Sequence, residues 1–133
     1  MVKKSTYIKI MRASAIYDLI ATAPFVLPVT FAFTWSQLSG LHQQLGLAGT
    51  LPDPHVYMIL LANLLGSVVV VWSAARLWLN MAVLGRFDAA ARLLFATWQI
   101  VALVNGASMV LAAYLVVELI FGFLQIMPIS EQE

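Results

Sequence analysis

The sequence predicts an all-α polytopic membrane protein: a bundle of four transmembrane helices with a short interfacial helix after the first span. Three observations predict it. The chain is 62% hydrophobic and only 10% charged, with mean hydropathy +0.93, whereas about a quarter of the residues in soluble domains are charged. Its apolar residues gather into four stretches, each about long enough as a helix to cross a roughly 30 Å hydrocarbon core. The basic residues are segregated: Lys3, Lys4, Lys9 and Arg12 precede the first stretch, and Arg76, Arg86 and Arg92 surround the connection between the second and third. Short loops carrying Lys and Arg stay on the cytoplasmic side. Both termini and that connection are therefore expected inside, in the inner membrane of a bacterium. At 133 residues, one membrane domain is expected.

The first span is expected at about residues 13–33. Pro24 and Pro28 lie within it; each removes a backbone donor and crowds the preceding turn, so a kink or a broken outer half is predicted. The basic stretch before it is longer than a signal-peptide n-region, and Asp18 interrupts the run, so a retained span is expected rather than a cleaved signal. Residues 35–49 are too polar to span. Leu38, Leu41 and Leu45 recur opposite Gln37, Gln43 and Gln44, the pattern of a short amphipathic helix along the outer surface. The second span is expected at about 56–77. An inner loop follows at 80–87, with Asp88 as N-cap of the third span and paired with Arg92 at i, i+4. The third span, about 89–104, turns tightly through Asn105–Ser108 into the fourth, about 109–127, and a short acidic tail ends the chain.

Polar groups at membrane depth are costly and face a bundle interior or a cavity. Asp18 is expected near Arg12, Arg76 or Arg92, as an internal ion pair or as the edge of an anion- or headgroup-binding pocket. Glu118 is expected near mid-depth on a stripe with Tyr114, Gly122 and Gln125. Gln99 falls at a similar depth on the third span, so a protonated Glu118 donating to the Gln99 amide is expected to lock the hairpin. Asn63 should seek an interhelical partner beside Ala62 and Gly66, a small-residue face that lets helices approach closely. The candidate buried or ligand-contacting residues are thus Glu118, Gln99, Asn63, Asp18, Arg92, Arg76 and Tyr114.

The sequence excludes several chemistries. The chain has no cysteine, hence no disulfide, thiolate metal site or cysteine nucleophile. His42 and His55 flank the outer loop without the partners a metal needs, and neither lies in a span where it could ligate haem. No catalytic constellation or phosphate loop appears, so no catalytic residue, metal or cofactor is assigned. A net charge of +1 with no basic patch argues against nucleic acid.

The segments RASAIYDLIATAPFVLP, ANLLGSVVVVWSAARL, GRFDAAARLLFATWQ and VELIFGF resemble a group of small four-span membrane proteins of proteobacteria, a resemblance that implies architecture but no activity. In layout alone, four spans with a polar stretch after the first, the chain is also similar to DoxX-like membrane proteins, some of which are linked to quinone-dependent oxidation. The leading functional expectation is a non-catalytic accessory or self-associating bundle, with the bilayer and a homo-oligomeric or membrane-protein partner. The alternative is a lipid- or quinone-binding protein, possible in a redox setting, with a cavity around Glu118 and Gln99. A proton-coupled small transporter ranks third, because the charge bias is complete and the membrane glutamate sits in the last span.

Overall fold

The computed structural model describes residues 1–130; the acidic tail residues Glu131 and Glu133 lie outside the described residues. Five α-helices carry the fold: α1 Lys4–Thr22, α2 Pro28–Gln44, α3 Val56–Leu79, α4 Ala82–Val104 and α5 Val110–Ile126, with one 3-10 turn at Ala23–Phe25 between α1 and α2. Two of them, α3 and α4, are long and apolar enough to cross a membrane, and the bent pair formed by α1 and α2 passes the same test together. Helix α5 is apolar but shorter.

The chain breaks where the prolines predict. Pro24 sits in the 3-10 turn and Pro28 opens α2, and the two helices meet at 102°. Thr30 Oγ1 donates to the Pro24 carbonyl at 2.6 Å, and Asn63 Nδ2 donates to the Phe25 carbonyl at 2.7 Å, replacing helical bonds that the break removes. Gly66 lies against Phe25 so closely that a Cβ would meet Phe25 backbone at 2.9 Å. The Ala62–Gly66 face therefore seats α3 on the break.

Four boundaries differ from the sequence reading. Helix α1 begins at Lys4, well before residue 13. The amphipathic stretch 35–49 is not a separate helix: its first ten residues complete α2, because the apolar start of α2 and its polar end share one uninterrupted backbone ladder. The inner loop 80–87 shrinks to Asn80 and Met81, where Asn80 takes the left-handed conformation (φ 52°) that ends α3. Asp88 is consequently not an N-cap but lies two turns inside α4.

The N-terminus, the segment Ile129–Ser130 and the α3–α4 connection share one end of the bundle, the near end. Val2–Lys3 pairs in parallel with Ile129–Ser130. Tyr7 Oη donates to the Gln125 carbonyl at 2.8 Å, and Arg86 donates to the Gln125 and Met127 carbonyls that α5 leaves open. Arg12, exposed, donates to Asn80 Oδ1 at 3.3 Å. At the far end, Thr50 bridges to Ala107, which fastens the α2–α3 loop to the α4–α5 turn. His42 contacts Ser108 at 2.7 Å, and the Trp35 indole donates to the Pro52 carbonyl at 3.1 Å. Large apolar side chains point outward along the helices, among them Val68, Val71, Leu93 and Val104, the inverse of a soluble bundle and the arrangement that lipid requires.

Candidate functional site

Helices α1, α3, α4 and α5 each send one or more charged side chains to a common point in the interior. Arg92 of α4 is 2% exposed, and each of its guanidinium nitrogens meets a different carboxylate. Nε reaches Asp88 at 3.0 Å, Nη1 reaches Glu118 at 2.8 Å and Nη2 reaches Asp18 at 2.7 Å. Arg76 of α3 is fully buried; its Nη2 contacts Asp18 at 2.5 Å and its Nη1 contacts Asp88 at 2.6 Å. Ser73 Oγ accepts from Arg76 Nη2, and the Trp72 indole donates to Asp88 Oδ1 at 3.1 Å. Ser14 Oγ accepts from Arg76 Nη1 and from Gln125 Nε2. A planar guanidinium suits this task because its donors point outward in a fixed fork. The three donors of a lysine ammonium radiate from one atom and do not match carboxylates spaced along that planar fork.

The cluster corrects two expectations. Glu118 does not pair with Gln99. It accepts from Arg92, and the Gln99 Oε1 atom is buried without a partner among the described residues. An ionised donor makes the stronger bond to a carboxylate, and Arg92 packs beside Gly122, one turn from Glu118, where a Cβ added to the glycine would meet the Arg92 Cβ at 3.7 Å. Nor does Arg12 join Asp18; it stays exposed at the near end. The expected pairing of Asp18 with Arg76 and Arg92 is present, as is the Asp88–Arg92 pair at i, i+4. Asp88 was missed as a site residue, although the aspartate and Arg92 on one helical face were a usable signal.

Above the cluster, toward the far end, lies a cavity of about 600 Å³. Its walls are apolar and aromatic: Phe25 and Phe31 below α2, Leu65 and Val69 on α3, Phe95, Trp98 and Ala102 on α4, Leu111 on α5. The polar groups that border it are few, and they include Asp18, Glu118, Gln99, Tyr17 and Tyr114. The structure thus brings Asp18, Glu118, Gln99 and Tyr114 together at one cavity, with Arg76 and Arg92 behind two of them. Asn63 stands apart and serves the helix break.

The cavity is lined by both α3 and α4. Trp72 and Arg76 tie α3 to Asp88 near the connection, and α1 packs on both helices. Toward the far end the space between them is bordered by the outward-facing Leu65 and Trp98. Among the described residues, no group of three His, Cys, Asp or Glu side chains is arranged to hold a metal ion. Compared with protein-family models, with curated proteins and with solved structures, the chain matches none.

Proposed function

We propose that this is a four-span protein of the bacterial inner membrane that binds a lipid-like or quinone-like amphiphile in the cavity above Asp18 and Glu118. In this reading α1, α3, α4 and α5 cross the bilayer, α2 lies along the outer surface over the cavity, and the near end with both termini is cytoplasmic. The exposed basic residues Lys3, Lys4, Lys9 and Arg12 all belong to that end, which supports the orientation. One observation carries the proposal: an apolar cavity of about 600 Å³ ends on a small set of polar side chains. Small-molecule sites typically have that volume and that division of labour, apolar walls for affinity and a few polar groups for orientation.

Leu65 and Trp98 line the cavity and are also exposed on the outer surface of the bundle, which supports access from the bilayer, so the ligand class is one that partitions into lipid. The accessory or self-associating role gains no comparable support. The small-residue face of α3 is occupied by Phe25 and is not free for a partner helix. Mass spectrometry of protein extracted in mild detergent tests the proposal. The expected result is one retained species, enriched over bulk lipid and lost in Ala102→Phe, which fills the cavity. Bulk lipid composition in both proteins alike contradicts it.

A further inference from the structure

The charges of the cluster do not balance. Asp18, Asp88 and Glu118 face two guanidiniums, those of Arg76 and Arg92, which leaves one negative charge in excess when all three acids are ionised. The excess is unevenly placed. Asp88, which does not border the cavity, has both oxygens engaged: Oδ1 by Trp72, and Oδ2 by Arg76 and Arg92. Asp18 and Glu118 do border it, and each uses a single oxygen. Asp18 Oδ2 receives both arginines, and Glu118 Oε2 receives Arg92. Their second oxygens, Asp18 Oδ1 and Glu118 Oε1, take no donor from the described residues. Gln99 Oε1, on the same cavity, is a buried acceptor without a donor among the described residues, whereas the two carboxylate oxygens keep some exposure.

The cavity therefore presents three unused acceptors, two of them anionic and about nine-tenths buried as residues. The four terminal guanidinium nitrogens, two on each arginine, are bonded to carboxylates of the cluster, while Arg76 Nε is buried without a partner among the described residues. The neutral donors on the wall, the Tyr17 and Tyr114 hydroxyls and the Trp98 indole, cannot offset a charge. Leaving buried acceptors unmet is costly, and more so for an ionised group. The cheapest complement is a ligand whose polar end donates hydrogen bonds and carries positive charge.

We infer that the polar end of the ligand is an ammonium group, held between Asp18 Oδ1, Glu118 Oε1 and Gln99 Oε1, with its apolar body among Phe25, Trp98 and Leu111. This rests on the binding role proposed above and specifies it. A quinone, whose carbonyls only accept, is the wrong partner for this floor. Two sources carry the same chemistry: a free lipophilic amine and the headgroup of an aminophospholipid.

The test uses the full-length protein in phosphatidylcholine nanodiscs, with empty nanodiscs as blanks. Binding of dodecylamine, dodecanol and a decyl-substituted benzoquinone is measured by displacement of a fluorescent fatty-amine probe. The amine is expected to bind at least about tenfold tighter than the alcohol, the size of effect that one charge-assisted hydrogen bond supplies. In Glu118→Gln the preference is expected to fall toward parity. The comparison in the unmodified protein stands even if that variant does not fold. Nanodiscs containing phosphatidylethanolamine separate the two sources: competition with dodecylamine identifies the aminolipid, and its absence identifies the free amine. Equal binding of alcohol, quinone and amine overturns the ammonium assignment but keeps the cavity as a binding site. Failure of all three ligands, with no displacement of the probe, overturns both.

Discussion

The two halves of the bundle solve opposite problems with the same helices. In the near half, Tyr7, Met11, Ser14 and Ala15 of α1, Ser73 and Arg76 of α3, and Ala89, Arg92 and Ala96 of α4 are all buried, and the charged groups there are tied to one another, with Arg76 Nε and Gln125 Oε1 left unpaired among the described residues. In the far half the buried set thins to Phe31, Gly66, Val69, Ser108 and Val110, and the helices enclose space instead. Arg92 and Gln99 mark the contrast on one helix. Two turns apart, the first engages a carboxylate with each of its three guanidinium nitrogens, and the second leaves a carbonyl oxygen unmet. A membrane helix bundle gains little from burying apolar groups, because lipid is as apolar as its core. Polar networks and close packing must hold it, and here they are concentrated at one end, leaving the other free to enclose a ligand.

The largest effect is expected from breaking the near half. Arg92→Met leaves Asp18, Asp88 and Glu118 with a single guanidinium, and removing one member of a buried ion network costs about 3–5 kcal/mol. Arg92→Lys is expected to recover only part of this, since one nitrogen replaces three that are spaced along the guanidinium fork. Arg12→Ala, by contrast, removes only an exposed contact and should change stability by less than about 1 kcal/mol. Chemical unfolding in detergent ranks these variants. Equal losses for Arg92→Met and Arg12→Ala would mean that the cluster does not hold the fold.

Smaller effects are expected at the hinge between the halves. Gly66→Leu forces a side chain into the Phe25 backbone and should cost about 1–3 kcal/mol, as overpacking does. Asn63→Leu strands the Phe25 carbonyl and should cost about 1–3 kcal/mol. Both should disturb ligand retention more than Arg12→Ala does, because the break they support sits over the cavity. Melting temperature and retained lipid, measured on the same samples, check that coupling. Gln99→Leu comes last. It removes an acceptor that has no partner, so the ligand-free protein should be unchanged or slightly stabilised. Its binding of the dodecylamine probe should nevertheless weaken, and destabilisation of the ligand-free protein would show that Gln99 has an unrecognised structural role.

What the sequence carried follows the same division. The helical content, the break at Pro24 and Pro28 and the tight turn at Asn105–Ser108 were legible, because prolines, glycine and apolar runs act locally. The attraction of Asp18 for Arg76 and Arg92 was legible from charge placement alone. Glu118 was misassigned to Gln99 because depth along a helix was matched without allowing for the reach of an arginine. Asp88 was misread as a cap because the apolar run starts after it, whereas the helix starts six residues earlier, where Gly85 admits the Tyr7 ring. The cavity was legible only as a list of residues. Its space depends on how α1, α3, α4 and α5 pack on one another, which no period in the sequence encodes.

Because the chain contains no cysteine, one introduced thiol at a time reports directly on the contrast between the halves. Ala62 borders the cavity, and Ala15 lies fully buried in the near half. With a membrane-permeant maleimide, Ala62→Cys is expected to react slowly in gently extracted protein and faster after delipidation, while Ala15→Cys stays unreactive in both. Labelling of Ala15→Cys as fast as Ala62→Cys, or a rate at Ala62→Cys that delipidation leaves unchanged, contradicts an occupied cavity above a closed polar core.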